Sequence, residues 1–234
     1  MSNGLEVRNL SVRYGKAQAL KGVDLYAPPG KITAVVGANG AGKSSLLLGL
    51  YGSVAASGSV LVNGHDVAGL PPARRAKSGV AIVPQGRQLF PRLTVRENLQ
   101  VMAEALRLPH GAVDVAIDRF PRLRERERNL AGVLSGGEQQ MLVVTRALMG
   151  DPKVLLLDEM NTGLAPVIVQ DLLERVAELA RAGTIIVIAE PSIAMVRDRI
   201  DRGYVLVRGQ VTAIEEGGGH ALDAAYQREM GVSV

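Results

Sequence analysis

A glycine-rich loop between a predicted strand and a predicted helix limits the folds open to this 234-residue chain more than any other feature. Residues 37–45 read Gly-Ala-Asn-Gly-Ala-Gly-Lys-Ser-Ser and satisfy the pattern G-x-x-x-x-G-K-[ST]. Residues 31–36 before the loop are typical of a buried strand, and residues 44–50 after it are typical of a helix. Glycines let successive backbone N–H groups turn inward around a phosphate, and the helix N-terminus adds partial positive charge. The pattern therefore predicts a phosphate-binding loop in an α/β fold.

Side chains in this loop, and two carboxylates farther along the chain, indicate nucleotide chemistry. We expect Lys43 to contact the β- and γ-phosphates and the Ser44 hydroxyl to ligate Mg²⁺. A second apolar strand, residues 154–157, ends at Asp158 and Glu159, at the edge where α/β sheets bind ligands. Asp158 is predicted to hold Mg²⁺ through water, and Glu159 to orient and deprotonate an attacking water. The other loop residues expected at the phosphates are Gly37, Ala38, Asn39, Gly40, Ala41, Gly42 and Ser45.

The remaining patterns divide the chain into a core and a helical insert. Residues 5–14 and 19–26 alternate apolar and polar side chains, which predicts half-exposed antiparallel strands. Further strands are predicted at 59–62, 80–83 and 184–189, and helices at 95–106, 136–149 and 166–181. Strands separated by helices imply mostly parallel pairing. We expect one domain over residues 1–234, with residues 1–85 and 151–234 as the core and residues 86–150 as the insert.

Residues 134–140, Leu-Ser-Gly-Gly-Glu-Gln-Gln, resemble the signature sequence of ABC-type ATPases. Gln85 matches the Q-loop glutamine of that superfamily, and Tyr14 matches the aromatic residue that stacks on adenine. The resemblance covers essentially the whole chain and implies a P-loop NTPase (RecA-like) core with a mostly parallel sheet, an N-terminal antiparallel β subdomain and a helical subdomain insert. It also implies ATP and Mg²⁺ as cofactors, with Gln85 as a Mg²⁺ ligand and a catalytic residue beside Lys43 and Glu159. Signature residues would close over the ATP of a second subunit: Ser135, Gly136, Gly137 and Glu138.

Several shorter strings are similar to the LivF-type ATPases of branched-chain amino acid importers, at residues 83–87, 89–95, 163–166 and 201–206. This resemblance implies an ATP-hydrolysing importer subunit on the cytoplasmic face of the inner membrane. Its implied partners are a second ABC ATPase subunit (in a heterodimer or a homodimer), integral membrane permease subunits, and indirectly an extracytoplasmic substrate-binding protein. Phe90 is the residue expected on the permease-facing surface.

Three alternatives remain beside the branched-chain importer. The first is an ABC importer whose cargo is another amino acid, an amide or urea. A soluble ABC ATPase acting on DNA or ribosomes is disfavoured, because the chain has one phosphate loop, one signature and no sustained heptads. The signature also argues against a P-loop kinase or GTPase.

Composition removes whole classes of chemistry. The chain has no Cys, which excludes disulfides, thiolate zinc sites, iron–sulfur clusters and cysteine nucleophiles, and its three His residues are widely separated. No apolar run approaches the roughly 18–20 residues of a membrane-spanning helix, and the N-terminal residues do not form a signal peptide. We therefore expect a soluble cytosolic protein. Residues 118–128 carry five Arg beside Glu125 and Glu127, which favours a solvated helix face over a nucleic-acid surface.

The family pattern breaks at the position of the switch residue. ABC ATPases usually place a His there, and LivF-type members a Gln, but ungapped counting puts Pro191 at this position and a shift of one puts Glu190 there. Proline has no side-chain donor, and an ionised Glu would repel the phosphate. Met160 and Ala165 are smaller departures from the general ABC pattern. We therefore predict impaired turnover at this chain's own ATP site and an asymmetric heterodimer.

Overall fold

Two β-sheets and eight α-helices make up the computed structural model, which describes residues 3–160 and 164–231. Gly163, quoted above for its resemblance, lies outside the described residues. The strands are β1 (Leu5–Tyr14), β2 (Ala17–Ala27), β3 (Ile32–Val36), β4 (Ala56–Val62), β5 (His65–Asp66), β6 (Val80–Val83), β7 (Val154–Asp158), β8 (Ile185–Glu190), β9 (Arg202–Val207) and β10 (Gln210–Glu215). The helices are α1 (Lys43–Tyr51), α2 (Pro72–Lys77), α3 (Val95–Leu106), α4 (Ala112–Asp118), α5 (Pro121–Glu125), α6 (Gly136–Leu148), α7 (Pro166–Arg181) and α8 (Gly218–Glu229).

A six-stranded sheet, in the order β10-β9-β3-β8-β7-β6, forms the centre of the fold. All neighbours in it are parallel except β9 and β10. Successive residues of its central strands alternate between two apolar clusters: in β8, Ile186 and Ile188 belong to one, and Ile185 and Val187 to the other. The sheet is therefore buried on both faces, as parallel sheets in α/β proteins are. This confirms the predicted α/β fold with a mostly parallel sheet.

A smaller antiparallel sheet, in the order β2-β1-β4-β5, packs over one face of the large sheet. In β1 the buried residues Leu5, Val7, Leu10 and Val12 face the core, with polar residues between them. A change of register near Asn9 accommodates the one break in this alternation. The antiparallel pairing expected from the alternating pattern is confirmed.

Helices α3 to α6 lie between β6 and β7 in the chain, within the predicted insert. The sequence suggested a single helix over residues 118–128, but the structure does not have one. Phe120 is extended because it precedes Pro121, and a new short helix begins at that proline. Arg124 pairs with Asp118 and Glu127, so the charged stretch is an intramolecular ion-pair network on the surface. The boundaries of core and insert as structural units stay a prediction.

Some elements were not predicted. Helix α2 is only 6 residues long and has no apolar period, and β9 and β10 form the antiparallel edge of the large sheet. Strand β8 also runs one residue farther than expected, because Glu190 still pairs with Val36 of β3. Pro191 follows directly after the strand.

Among the described helices, none has both the length and the apolar character needed to cross a bilayer.

Candidate functional site

The predicted phosphate-binding loop joins β3 to α1 at the carboxyl edge of the large sheet. A Cβ at Gly37 would lie 2.3 Å from the Leu206 carbonyl oxygen, so only glycine fits between the loop and β9. Gly42 has φ +108° and lies against the Ala19 carbonyl oxygen. No side chain of the described residues caps α1, and its first turn holds no acidic residue. The start of this helix therefore offers free N–H groups and a positive dipole end to an anion.

Lys43 is the first residue of α1, and its side chain is buried although it carries a charge. Its ammonium donates to the carbonyl oxygens of Gly37, at 2.8 Å, and Ala38, at 3.2 Å. The same nitrogen lies 3.8 Å from Glu159 Oε1. The lysine therefore folds back over the loop, where an incoming phosphate can replace these oxygens as its partner.

Asp158 ends β7 and is buried beside Ser44, with which it makes a hydrogen bond. Burial raises the pKa of Asp158, the Ser44 hydrogen bond lowers it, and the charge of Glu159 raises it. Oxygen Oδ1 of Asp158 has no hydrogen-bond partner among the described residues. An unpaired carboxylate oxygen next to a hydroxyl is the donor set that a hard cation such as Mg²⁺ prefers. The residues present therefore fit the predicted metal.

Glu159 follows β7 in a left-handed backbone conformation, with φ +45°. Gln85 Nε2 donates to Glu159 Oε2 at 2.6 Å. Gln85 lies close to Glu159 because β6 and β7 are parallel neighbours. Gln85 follows the end of β6 by two residues, and Glu159 directly follows the end of β7. A cleft of about 260 Å³ lies between these groups and the loop, and it is lined by Ala19, Asn39, Gly40, Gly42, Lys43, Ser44, Ser45, Gln85 and Glu159. Residues from four separate parts of the chain thus meet at one anion-binding cleft.

Strand β8 lies between β3 and β7 and fixes the turn that carries Glu159. The Glu159 N–H donates to the Ala189 carbonyl oxygen at 2.9 Å, and the Met160 N–H donates to Glu190 Oε1 at 3.2 Å. Glu190 is only 3% exposed. Burial raises its pKa to about 8, the Met160 N–H works in the opposite direction, and the charges of Glu159 and Asp158 add to the rise.

The signature segment opens α6 at a different place. Ser135 caps the helix by accepting the Glu138 N–H, and Glu138 Oε2 accepts the Ser135 N–H at 2.8 Å. This main-chain bond, followed by the Ser135 hydroxyl and Arg126, lowers the pKa of Glu138. The backbones of Gly136 and Gly137 lie against the side chains of Arg87 and Ile168, where a Cβ would be tight. None of the signature residues lines the cleft at Lys43.

Two aromatic residues singled out from the sequence lie outside the cleft. Tyr14, at the end of β1, is 48% exposed and does not line it, whereas Ala19 of the next strand does. Phe90 is exposed and stacks under the Arg146 guanidinium at 6.0 Å. No sequence pattern identified Ala19, because it reaches the loop only through the tertiary packing of β2 against Gly42. The assigned roles of the individual site residues stay predictions.

Comparison with known proteins gives a consistent result. The family model described as "ABC transporter" matches residues 20–162. The high-affinity branched-chain amino acid transport ATP-binding protein BraG of Pseudomonas aeruginosa is 43% identical over 91% of this chain and 93% of its own length. The probable branched-chain amino acid transport ATP-binding protein LivF of Archaeoglobus fulgidus is 37% identical over 88% of this chain and 89% of its own length. A crystal structure of a nucleotide-free ATP-binding cassette from an ABC transporter superposes with a TM-score of 0.87, at 27% identity, over 99% of this chain and 98% of that one.

Proposed function

This chain belongs to the ABC transporter family and is an ATP-hydrolysing cassette, and from that premise we propose that it drives an importer for branched-chain amino acids. The observation that carries the proposal is the meeting of Lys43, Ser44, Gln85 and Glu159 at one cleft, with Asp158 buried beside Ser44. Membership in the family excludes the kinase and GTPase alternatives.

Each side chain in the cleft has a distinct task in the proposed reaction. Lys43 and the first N–H groups of α1 bind the β- and γ-phosphates. Ser44, Asp158 and Gln85 would hold Mg²⁺, which supplies charge neutralisation on the phosphate oxygens when it is bound. Glu159 orients the attacking water and accepts its proton. Gln85 lies 2.6 Å from Glu159, so a change in the Q-loop alters the position of the base directly.

Two such chains, or this chain and a second ABC subunit, are proposed to share their ATP sites. The Lys43 cleft is open to solvent on one side, and the signature at the start of α6 does not reach it within the chain. The N–H groups of Gly136 and Gly137 and the hydroxyl of Ser135 therefore suit the γ-phosphate of a partner subunit. Adenine stacking is assigned to the exposed ring of Tyr14.

Membrane association is proposed through permease subunits rather than through this chain's own helices. The exposed Phe90, beside the Q-loop, is assigned to that contact. We place the subunit on the cytoplasmic face of the inner membrane, with an extracytoplasmic binding protein as an indirect partner. The names of the two relatives at 43% and 37% identity support branched-chain amino acids as the cargo. Other amino acids, amides and urea are the alternatives that the transport assay below separates.

Turnover at the chain's own site is proposed to be slower than at its partner's. Pro191 follows β8 at the predicted switch position and offers no donor to a γ-phosphate. Loss of one donor of this kind lowers the rate by about 10²–10³-fold in other enzymes. This asymmetry favours a heterodimer.

The test is the complex purified from its native host through a tag on this chain. Glu159→Gln is expected to keep ATP binding and to lower hydrolysis at this site by about 10²–10⁴-fold, and Lys43→Ala to abolish binding. Glu178→Gln, which changes an exposed acid on α7, is the matched control and should leave both unchanged. Cells with Glu159→Gln should also lose uptake of labelled leucine, isoleucine and valine. If the variant instead loses uptake of a labelled amide or of urea, that compound is the cargo and the proposed mechanism still holds.

A further inference from the structure

We propose that Glu190 is a positioning residue for Glu159 and acts through the main-chain turn between Glu159 and Met160. The inference rests on the proposed role of Glu159 as the base for the attacking water. Glu190 does not need to touch nucleotide for this role.

The end of β8 holds that turn by two consecutive hydrogen bonds. One is a backbone bond, from the Glu159 N–H to the Ala189 carbonyl oxygen at 2.9 Å. The other ends on a side chain, from the Met160 N–H to Glu190 Oε1 at 3.2 Å. Because Glu159 has φ +45°, the turn is not a conformation that this residue adopts freely. The second bond therefore helps to hold a strained backbone from which the proposed base projects.

Burying the carboxyl group of Glu190 costs free energy of hydration, which indicates a role other than packing. It is 3% exposed in the middle of the large sheet, on the face that Ile186 and Ile188 share. Among the described residues, no lysine or arginine forms an ion pair with it. An apolar side chain would fill the same place without the loss of hydration that a buried carboxyl suffers. It would, however, leave the Met160 N–H without an acceptor in a buried turn.

The expected consequence of losing this acceptor is a displaced base rather than a lost ligand site. Lys43 and the loop are anchored by β3 and β9, and the side chain of Glu190 takes no part in these contacts. The backbone pairing of Glu190 with Val36 of β3 does not depend on its side chain. Misplacement of a catalytic group by about 1 Å lowers rates by about 10²-fold. The change should therefore appear in kcat and leave nucleotide affinity nearly unaltered.

The experiment compares Glu190→Gln with Glu190→Met in the complete complex, with the partner subunit's ATP site inactivated so that the measured turnover comes from this chain's own site. Glutamine keeps a carbonyl oxygen at Oε1, whereas methionine has a similar volume and no acceptor. Glu190→Met is expected to lower kcat by about 10–100-fold with KM and the Kd for ADP within about 3-fold, and Glu190→Gln to keep kcat within about 3-fold. Thr33→Val, which removes another buried polar group of the same sheet, is the control and should leave kcat unchanged.

A second comparison separates positioning from general damage to the fold. If Glu190 acts through Glu159, adding Glu190→Met to Glu159→Gln should change the residual turnover by less than about 2-fold. If Glu190→Met does not fold, Glu190→Asp replaces it, since this side chain keeps the carboxyl group but withdraws the acceptor by one methylene. Full kcat in a folded Glu190→Met or Glu190→Asp variant, equal losses in Glu190→Gln and Glu190→Met, or additive losses with Glu159→Gln would each overturn the inference. Full turnover in Glu159→Gln alone would instead refute the proposed role of Glu159.

Discussion

Replacing Gly37 with alanine tests whether the phosphate-binding loop needs space at the sheet edge. The added Cβ would lie 2.3 Å from the Leu206 carbonyl oxygen and 3.0 Å from the Ala41 Cβ. An ordinary carbon–oxygen contact is about 3.3 Å long, so the loop or β9 must move by roughly 1 Å. Both β3 and β9 are held by the sheet, with Val36 paired to Val205, so this movement strains the packed core.

We expect Gly37→Ala to lower the free energy of unfolding by about 3 kcal/mol, the upper part of the usual range for overpacking. For a chain of this size that lowers Tm by roughly 6–12 °C. Because the same movement displaces the loop amides, ADP binding should also weaken by about 10-fold or more. Thermal unfolding by circular dichroism and titration calorimetry with ADP measure the two effects.

Gly40 provides the matched control within the same loop. It has φ +82°, but a Cβ there would meet no atom within 4 Å. Gly40→Ala should therefore lower the free energy of unfolding by only about 1 kcal/mol, because alanine is strained in the left-handed region. Gly40→Asn should lower it less, because asparagine tolerates this region. A Gly37→Ala variant with Tm within about 2 °C of the wild type and unchanged ADP affinity would refute the steric argument.

Three further predictions concern other parts of the molecule. Arg75 donates to the carbonyl oxygens of Gly49 and Leu50 at the end of α1, so Arg75→Leu should destabilise the protein by about 3 kcal/mol in thermal unfolding. Since the pKa of Glu190 is raised to about 8 in the folded state, folding binds a proton and stability falls as pH rises from the unfolded pKa through about 8. In nucleotide-free protein without Mg²⁺, the Tm advantage of Glu190→Gln should therefore widen from pH 5 to pH 8, and a constant difference contradicts the shift. Pro191→Gln should raise ATP turnover of the complex, and no rise would count against the proposed asymmetry.

Much of the fold follows from local patterns in the sequence. The loop of residues 37–45 carries its own geometric requirement, since glycines and a following helix are needed wherever it occurs. The alternation in β1 and the apolar run before Asp158 each predict a strand, and the structure contains both. These predictions succeed because the relevant interactions lie within a few residues of one another.

Features that depend on pairing between distant parts of the chain could not be predicted from the sequence. The cleft includes Ala19 only because β2 runs beside the loop, and a six-residue helix such as α2 has too little period to recognise. Whether Glu190 or Pro191 follows the strand could not be decided from the sequence either. The end of β8 depends on its pairing with Val36, which lies about 150 residues earlier in the chain. The contact between Glu190 and Met160 appears only once that register is known.

The position of β3 between β8 and β9 also bears on the order in which the molecule is completed. Strand β3 ends at residue 36, but the two strands that flank it begin at residues 185 and 202. At ordinary rates of synthesis on the ribosome, the loop emerges roughly 10–30 s before its strand has neighbours. A nascent or truncated chain that ends before β8 therefore carries the complete motif without a formed site. The full lining of the cleft, which includes Glu159, is present only after synthesis has passed that residue.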